Sequence, residues 1–237
     1  MVETKYTDRH GNERTRFIRT LEFADFYDYD YYYFNAIEEA EDLGKHMVVL
    51  KARGRGYSFK GASMLVRNYE LIKGSQNFAV ASEDSYLLND GLLTKAWEGM
   101  DFIDKHTAWA KQRVEDTKKK RTSGFRITDE FGKQTIDGYK SSIIGITTKN
   151  NPDRVRGIRG RLILWEEAGK FKDILQSWQI ARPSVEDSGG NAFGTMIAFG
   201  TGGSEGADFE GLKEMFYHPK GYNILSFPNI WDEKASD

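Results

Sequence analysis

The sequence predicts an α/β protein with a mainly parallel central sheet flanked by helices on both faces. Two observations carry this. Short apolar runs of strand length, among them Met47–Leu50, Leu162–Trp165 and Met196–Phe199, alternate with longer stretches of helical apolar spacing. That alternation belongs to parallel strands joined by crossover helices. Each of the three runs also ends in charged, polar or glycine residues: Lys51 onward, Glu166–Glu167, and Gly200–Thr201. In open α/β sheets ligands sit outside the carboxyl ends of the strands, so these three ends form one candidate site.

In chain order, residues 1–16 are polar and charged and read as a flexible arm. From Phe26 the chain mixes aromatics with acids, Phe-Tyr-Asp-Tyr-Asp-Tyr-Tyr-Tyr-Phe, and Ala36–Leu43 reads as a helix stopped by Gly44. Met47–Leu50 is the first core strand. A helix carrying Met64, Leu65, Tyr69, Leu71 and Ile72 runs to about Lys73, where Gly74 ends it. Asn77–Ala81 is a second strand. Asp84 or Ser85 caps a long helical stretch to about Val114, with Gly91 and Gly99 as points of interruption. Lys118–Arg121 and Thr122–Gly124 form a basic loop, and Phe125–Ile136 alternates as a hairpin. Ser142–Thr147 is a β-branched strand. Helical patterns follow Gly169 and Asp208, and Asn223–Phe227 is the last strand.

The 237 residues suffice for one large domain with a sizeable core. There are no cysteines, which removes disulfides and thiolate-held metal. No apolar run approaches the length of a membrane span, and the N-terminus lacks the apolar centre of a signal peptide. A net charge of −2 means that any nucleic-acid contact must come from a local patch. The four histidines are scattered, none at metal-ligand spacing.

The chemistry concentrates in Lys51-Ala52-Arg53-Gly54-Arg55-Gly56-Tyr57-Ser58. A strand, a glycine-rich turn and a helix start aim several backbone N–H groups at one anion. The stretch nearly fits the phosphate loop G-x-x-x-x-G-K-[ST]: Gly56 and Ser58 take the second glycine and the hydroxyl. Tyr57 stands in the lysine position and Lys51 in that of the first glycine. About 115 residues further on, Leu162–Glu167 is an apolar strand ending in two carboxylates, the shape of a Walker B element with glutamate for the usual aspartate. Arg156-Gly-Ile-Arg-Gly160 stands directly before it. About 35 residues beyond the acids, Met196–Gly203 is another strand ending in Gly-Thr-Gly.

In this order the elements resemble the ATPase domain of the large terminase subunit of tailed bacteriophages, from about Met47 to Trp231. A subgroup of that family carries K-x-x-x-x-G-[KY]-S, which Lys51, Gly56, Tyr57 and Ser58 match. The resemblance implies a P-loop fold of the additional-strand, catalytic-glutamate type, with 44–237 as the ATPase domain and 1–43 as its arm and lead-in. It implies ATP and Mg²⁺ as cofactors, with Lys51–Ser58 around the phosphates. Lys51 would neutralise the β- and γ-phosphates, with Lys60 as its rival. Gly54 and Gly56 would let the backbone approach, and Ser58 and Glu166 would hold Mg²⁺. Glu167 would be the base or water-orienting residue. Arg53 stands at the family's finger position, with Arg55 open as an alternative and Arg156 and Arg159 as candidates acting on a neighbouring subunit. Gly200, Thr201 and Gly202 resemble the coupling motif, Thr201 sensing the γ-phosphate.

The tyrosines at 27–33 either stack on adenine or pack the arm, and Lys118–Arg121 either touches DNA phosphates or is a solvated loop. Double-stranded DNA, the portal protein, the small terminase subunit and a homo-oligomeric ring are the implied partners, with no membrane. The implied location is the host cytoplasm, at the procapsid portal. A nuclease domain normally follows in this family. The sequence ends too soon after Trp231 to hold one, so a fragment is expected. Two other readings stay open: a helicase-like ATPase and a nucleotide-binding scaffold without turnover.

Overall fold

The computed structural model describes residues 2–18, 26–201 and 209–229. The chain divides into two compact units, Met1–Asn35 and Ala36–Asp237.

In the first unit, β1 (Val2–Thr7) and β2 (Glu13–Ile18) form an antiparallel hairpin, in register from Val2 opposite Ile18 to Thr7 opposite Glu13. The segment read from sequence as a flexible arm is therefore ordered backbone. Its turn explains why: the Asp8 carboxylate accepts the N–H groups of His10 and Asn12 and the Arg14 guanidinium. An Asx-type turn of this kind fixes a hairpin without an apolar face. Helix α1 (Asp28–Asp42) starts eight residues before Ala36, where the sequence reading began it. Asp30 steadies its start by accepting the Tyr27 N–H.

The second unit is built on an eight-stranded sheet. Its elements are β3 (His46–Lys51), α2 (Tyr57–Leu71), β4 (Gln76–Ala81), α3 (Ser85–Leu88), α4 (Leu92–His106), β5 (Arg113–Asp116) and β6 (Lys120–Ser123). There follow β7 (Phe125–Thr128), β8 (Gln134–Asp137), β9 (Ser142–Thr147), β10 (Leu162–Glu166), α5 (Ile174–Ala181), β11 (Thr195–Thr201), α6 (Glu210–Tyr217) and β12 (Ile224–Asn229). The order is β12-β3-β11-β10-β4-β9-β6-β5, and β7–β8 pair as a separate hairpin. From β12 to β9 every pairing is parallel; β6 and β5 add an antiparallel edge. The strand β11 lies between β3, which leads into the glycine-rich loop, and β10, which ends in the acids.

Burial on both faces makes the parallel strands continuously apolar. Val48, Leu50, Ile163, Trp165, Met196 and Ala198 face one core, with Trp178 of α5 and Leu212 and Met215 of α6. Their alternates turn towards α2 and α4. Gly61 of α2 lies so close to Leu164, Leu92 and Phe199 that an added Cβ would meet all three within 3.4 Å. The long helix expected to Val114 is broken at Asn89–Gly91. A Cβ at Gly91 would fall 2.1 Å from the Tyr86 carbonyl oxygen, so only glycine fits this turn between α3 and α4.

Candidate nucleotide site

Four elements of the Ala36–Asp237 unit converge at the carboxyl ends of the parallel strands. The register of β3 on β11 sets Lys51 beside Thr201, and β10 ends one strand further over in Glu166. The chain after Lys51 turns through Gly54 (φ 77°) and Gly56 (φ 68°) into α2. These left-handed conformations, open to glycine and strained for other residues, let the loop double back beneath the helix N-terminus. The result is an open cleft of about 570 Å³.

Of the residues singled out in the sequence, Lys51, Arg53, Gly54, Arg55, Gly56, Tyr57, Ser58, Glu166, Glu167 and Thr201 all line this cleft. Ala52 does not. Lys60 does not either; its Nζ sits 4.6 Å from the centre of the Tyr57 ring. Helical geometry accounts for this, because two residues beyond Ser58 the side chain leaves the opposite side of α2. Tyr57 is buried, its ring 5.9 Å from that of Phe199. The side chain in the usual lysine position is thus a core residue. Gly202 lies outside the described residues.

The polar contacts are specific. Lys51 Nζ donates to Glu167 Oε1 at 2.8 Å and to Thr201 Oγ1 at 3.1 Å. Ser58 Oγ donates to Glu166 Oε1 at 2.7 Å. Burial pushes the Glu166 carboxyl up to about 7. The Ser58 hydrogen bond and the Lys51 and Lys95 charges oppose that rise, and the Glu167 charge adds to it. Its other oxygen, Oε2, is buried without a hydrogen bond. Glu167 holds a left-handed backbone (φ 47°, ψ 53°) that non-glycine residues seldom adopt. Strain of this kind collects at functional sites, where the surrounding structure enforces it. Here it turns the chain sharply out of β10, with Glu166 directed at Ser58 and Glu167 at Lys51.

The donor set suits Mg²⁺. A hydroxyl and a carboxylate are hard oxygen ligands, and the orphaned Oε2 of Glu166 is an acceptor without a donor. Among the described residues no group of three or more acids or histidines is placed to hold a metal. Mg²⁺ fits that pattern because it takes few protein ligands and completes its shell with water and substrate phosphate.

Sequence reasoning missed the cleft's far wall: Phe59, Ser85, Tyr86, Asn89, Asp90, Gly91, Lys95 and Lys170. Lys170 stands three residues beyond Glu167, and proximity to the acids was its one available signal. Phe59 follows Ser58 in α2 and had the same kind of signal, whereas the others had none, since they come from α3, α4 and the turn between them.

The basic run Lys118–Arg121 is largely neutralised. Lys119 pairs with Asp84, Lys120 with Glu115 at 2.7 Å, and Arg121 with Asp101 at 2.7 Å and Asp116 at 3.0 Å. Arg121 also stacks on Trp97. Lys120 and Arg121 belong to β6 rather than to a loop. Pairing with β9, not any apolar pattern of their own, makes them a strand. Arg156 is exposed and pairs with Asp153; neither it nor Arg159 lines the cleft.

The fold and site define an α/β domain with one strand inserted between the strand that leads into the glycine-rich loop and the acidic strand. No protein-family profile and no curated protein matches the sequence. Among solved structures, the HK97 bacteriophage large terminase aligns with a TM-score of 0.58 at 14% identity, over 90% of this chain and 41% of that one. The Thermus phage P74-26 large terminase ATPase domain aligns with a TM-score of 0.49 at 14% identity, over 78% of this chain and 75% of that one. A large terminase from a thermophilic bacteriophage in complex with ADP aligns at 0.49 and 12% identity, over 80% and 41%. The chain therefore shares the fold of the HK97 large terminase, spanning about two fifths of that protein's length.

Proposed function

We propose that this chain is the Mg²⁺-dependent ATPase domain of a phage DNA-packaging motor. One observation carries the reading. At the carboxyl edge of the sheet, a displaced lysine, a helix-start hydroxyl and two adjacent carboxylates are held on one cleft by Lys51–Glu167 and Ser58–Glu166 contacts. The loop amides and Lys51 would bind the phosphates of ATP, and Ser58 and Glu166 would hold Mg²⁺. The metal would supply charge neutralisation on the phosphates. Glu167 would orient the attacking water and accept its proton. Arg53 and Arg55, both on the cleft, are the candidate residues for stabilising charge on the transferred phosphoryl group. Thr201 shares Lys51 with Glu167 and would register loss of the terminal phosphate.

As in the resemblance, the work done is translocation of double-stranded DNA by a ring of subunits with the portal protein and small terminase, in the host cytoplasm. Steady-state hydrolysis of Mg·ATP by the wild type, Lys51→Ala and Glu167→Gln tests the core of this. Turnover lost in both variants supports it; turnover kept in both defeats it.

A specific observation favours a second reading, nucleotide binding without turnover by the chain alone. Glu167 Oε1 accepts from Lys51 at 2.8 Å, a contact that occupies the proposed base until the lysine turns to a phosphate. Nucleotide binding with no hydrolysis, indifferent to Glu167→Gln, would select it.

A further inference from the structure

Two cations on the cleft, Lys95 and Lys170, lie outside every motif; Lys170 is exposed, and Lys95 is the one held in place by packing. Lys95, in the first turn of α4, runs its stem along Phe59, with Nζ 5.1 Å from the ring centre. Its side chain is 8% exposed, yet its head reaches the cleft. Nζ donates to the Asp90 backbone carbonyl, and to Asp90 Oδ1 at 2.8 Å. The Asp90 carboxylate is itself 78% exposed, so water screens it and the pair is cheap to open. Asp90 also occupies a left-handed backbone position (φ 53°) beside Gly91, where no larger residue fits. A strained turn thus sets an exposed counter-ion at the cleft rim, and a packed helix brings a desolvated ammonium to meet it.

The position of Lys95 complements that of Lys51. Lys51 enters from the strand end, in front of the loop. Lys95 comes from the wall beyond Ser58, on the side of Glu166. The loop amides would wrap the inner phosphates, and the terminal phosphate would project past Ser58 towards this wall. Tyr57 has given up the usual lysine position to the core, which leaves that side of the phosphate chain without its customary cation.

The geometry points to Lys95 as a second phosphate lysine: it exchanges Asp90 for the terminal phosphate of a bound nucleoside triphosphate and replaces the cation missing at Tyr57. This rests on the nucleotide-site reading above and names a further residue of that site. The rival account is a staple, in which Lys95 only holds the Asn89–Gly91 turn.

Titration calorimetry with Mg²⁺ and either the non-hydrolysable ATP analogue AMP-PNP or ADP separates the two. The proteins are the wild type, Lys51→Ala, Lys95→Ala, Lys95→Arg and Asp90→Asn. One charge-assisted contact to the terminal phosphate predicts about tenfold weaker AMP-PNP binding in Lys95→Ala, with ADP changed by less than about threefold. Lys95→Arg restores most of the loss. Asp90→Asn, which removes the competing charge, tightens AMP-PNP binding. A staple predicts instead that Lys95→Ala and Asp90→Asn weaken both ligands alike, and that result overturns the assignment. Equal losses for AMP-PNP and ADP in Lys95→Ala overturn it too. Should Lys51→Ala weaken binding while Lys95→Ala does not, this inference alone fails. If the wild type binds neither ligand, the nucleotide-site reading itself has failed.

Discussion

Strand β3 carries a contact to a glutamate at each end, and the two differ in kind. At its start, His46 Nε2 lies 2.9 Å from Glu186 Oε1, with both side chains almost fully buried. Arg182 donates to both Glu186 oxygens, Asn223 donates to Oε1, and the Met196 N–H reaches His46 Nδ1. At its end, Lys51 meets Glu167 in an open cleft, with the glutamate side chain 25% exposed and on a strained backbone. The first carboxylate is enclosed by its partners. The second pairs with Lys51 and lines a cleft with room for a ligand. Hydrogen-bond saturation, more than distance, separates a carboxylate that holds a fold from one available for chemistry.

The comparison breaks most sharply at the glutamates. Glu167→Gln is expected to lower kcat for ATP by about 10²–10⁴-fold with little change in thermal midpoint. Parallel hydrolysis assays and melting curves check both. Glu186→Ala should do the reverse. Leaving His46 and Arg182 without their carboxylate is expected to cost about 3 kcal/mol, read by urea unfolding, while turnover per folded molecule is unchanged. If Glu186→Ala matched the wild type in stability, the structural half of the comparison would be wrong.

Acid sharpens it. Burial alone would raise the Glu186 carboxyl, but hydrogen bonds from His46, Arg182 and Asn223 pull it down to about 2 from the ordinary 4.5. A depressed carboxyl gives stability that is fully present above its unfolded value and is lost as pH falls through the folded one. Unfolding free energy should therefore decline between about pH 4.5 and 2, and the decline should be shallower in Glu186→Gln. Equal slopes in the two proteins would remove this cluster as the cause.

Smaller effects lie at the loop and at an exposed pair outside the cleft. Space around Gly56 is open, so Gly56→Ala meets no clash, only a left-handed backbone worth about 1–2 kcal/mol. Chemical unfolding measures it. Arg156→Ala removes one exposed pair three residues apart in sequence and should change stability by less than about 0.5 kcal/mol.

Much of this was legible in the chain. Met47–Leu50, Leu162–Trp165 and Met196–Phe199 announced buried strands because burial on both faces needs uninterrupted apolar residues. Gly54 and Gly56 announced a sharp turn between strand and helix because few other residue types tolerate that backbone. Polar strands were not legible. The β1–β2 hairpin and β6 lack apolar alternation and exist through the Asp8 turn and the pairing with β9. Nor could the sequence show that α4 would deliver Lys95 to the cleft, since that depends on a chain break only Gly91 permits.

The sequence by itself determined the parallel α/β class, the glycine-rich turn between a strand and a helix with Lys51 at its front, and the acids at a strand end. These are local properties, written in apolar periodicity and in the backbone freedom of glycine. Only the tertiary structure decided that β11 lies between the loop strand and the acidic strand, that Ser58 meets Glu166 and Lys51 meets Glu167, and that Tyr57 belongs to the core. Those contacts join residues more than a hundred positions apart. Strand order and register set them, and no local pattern encodes either one.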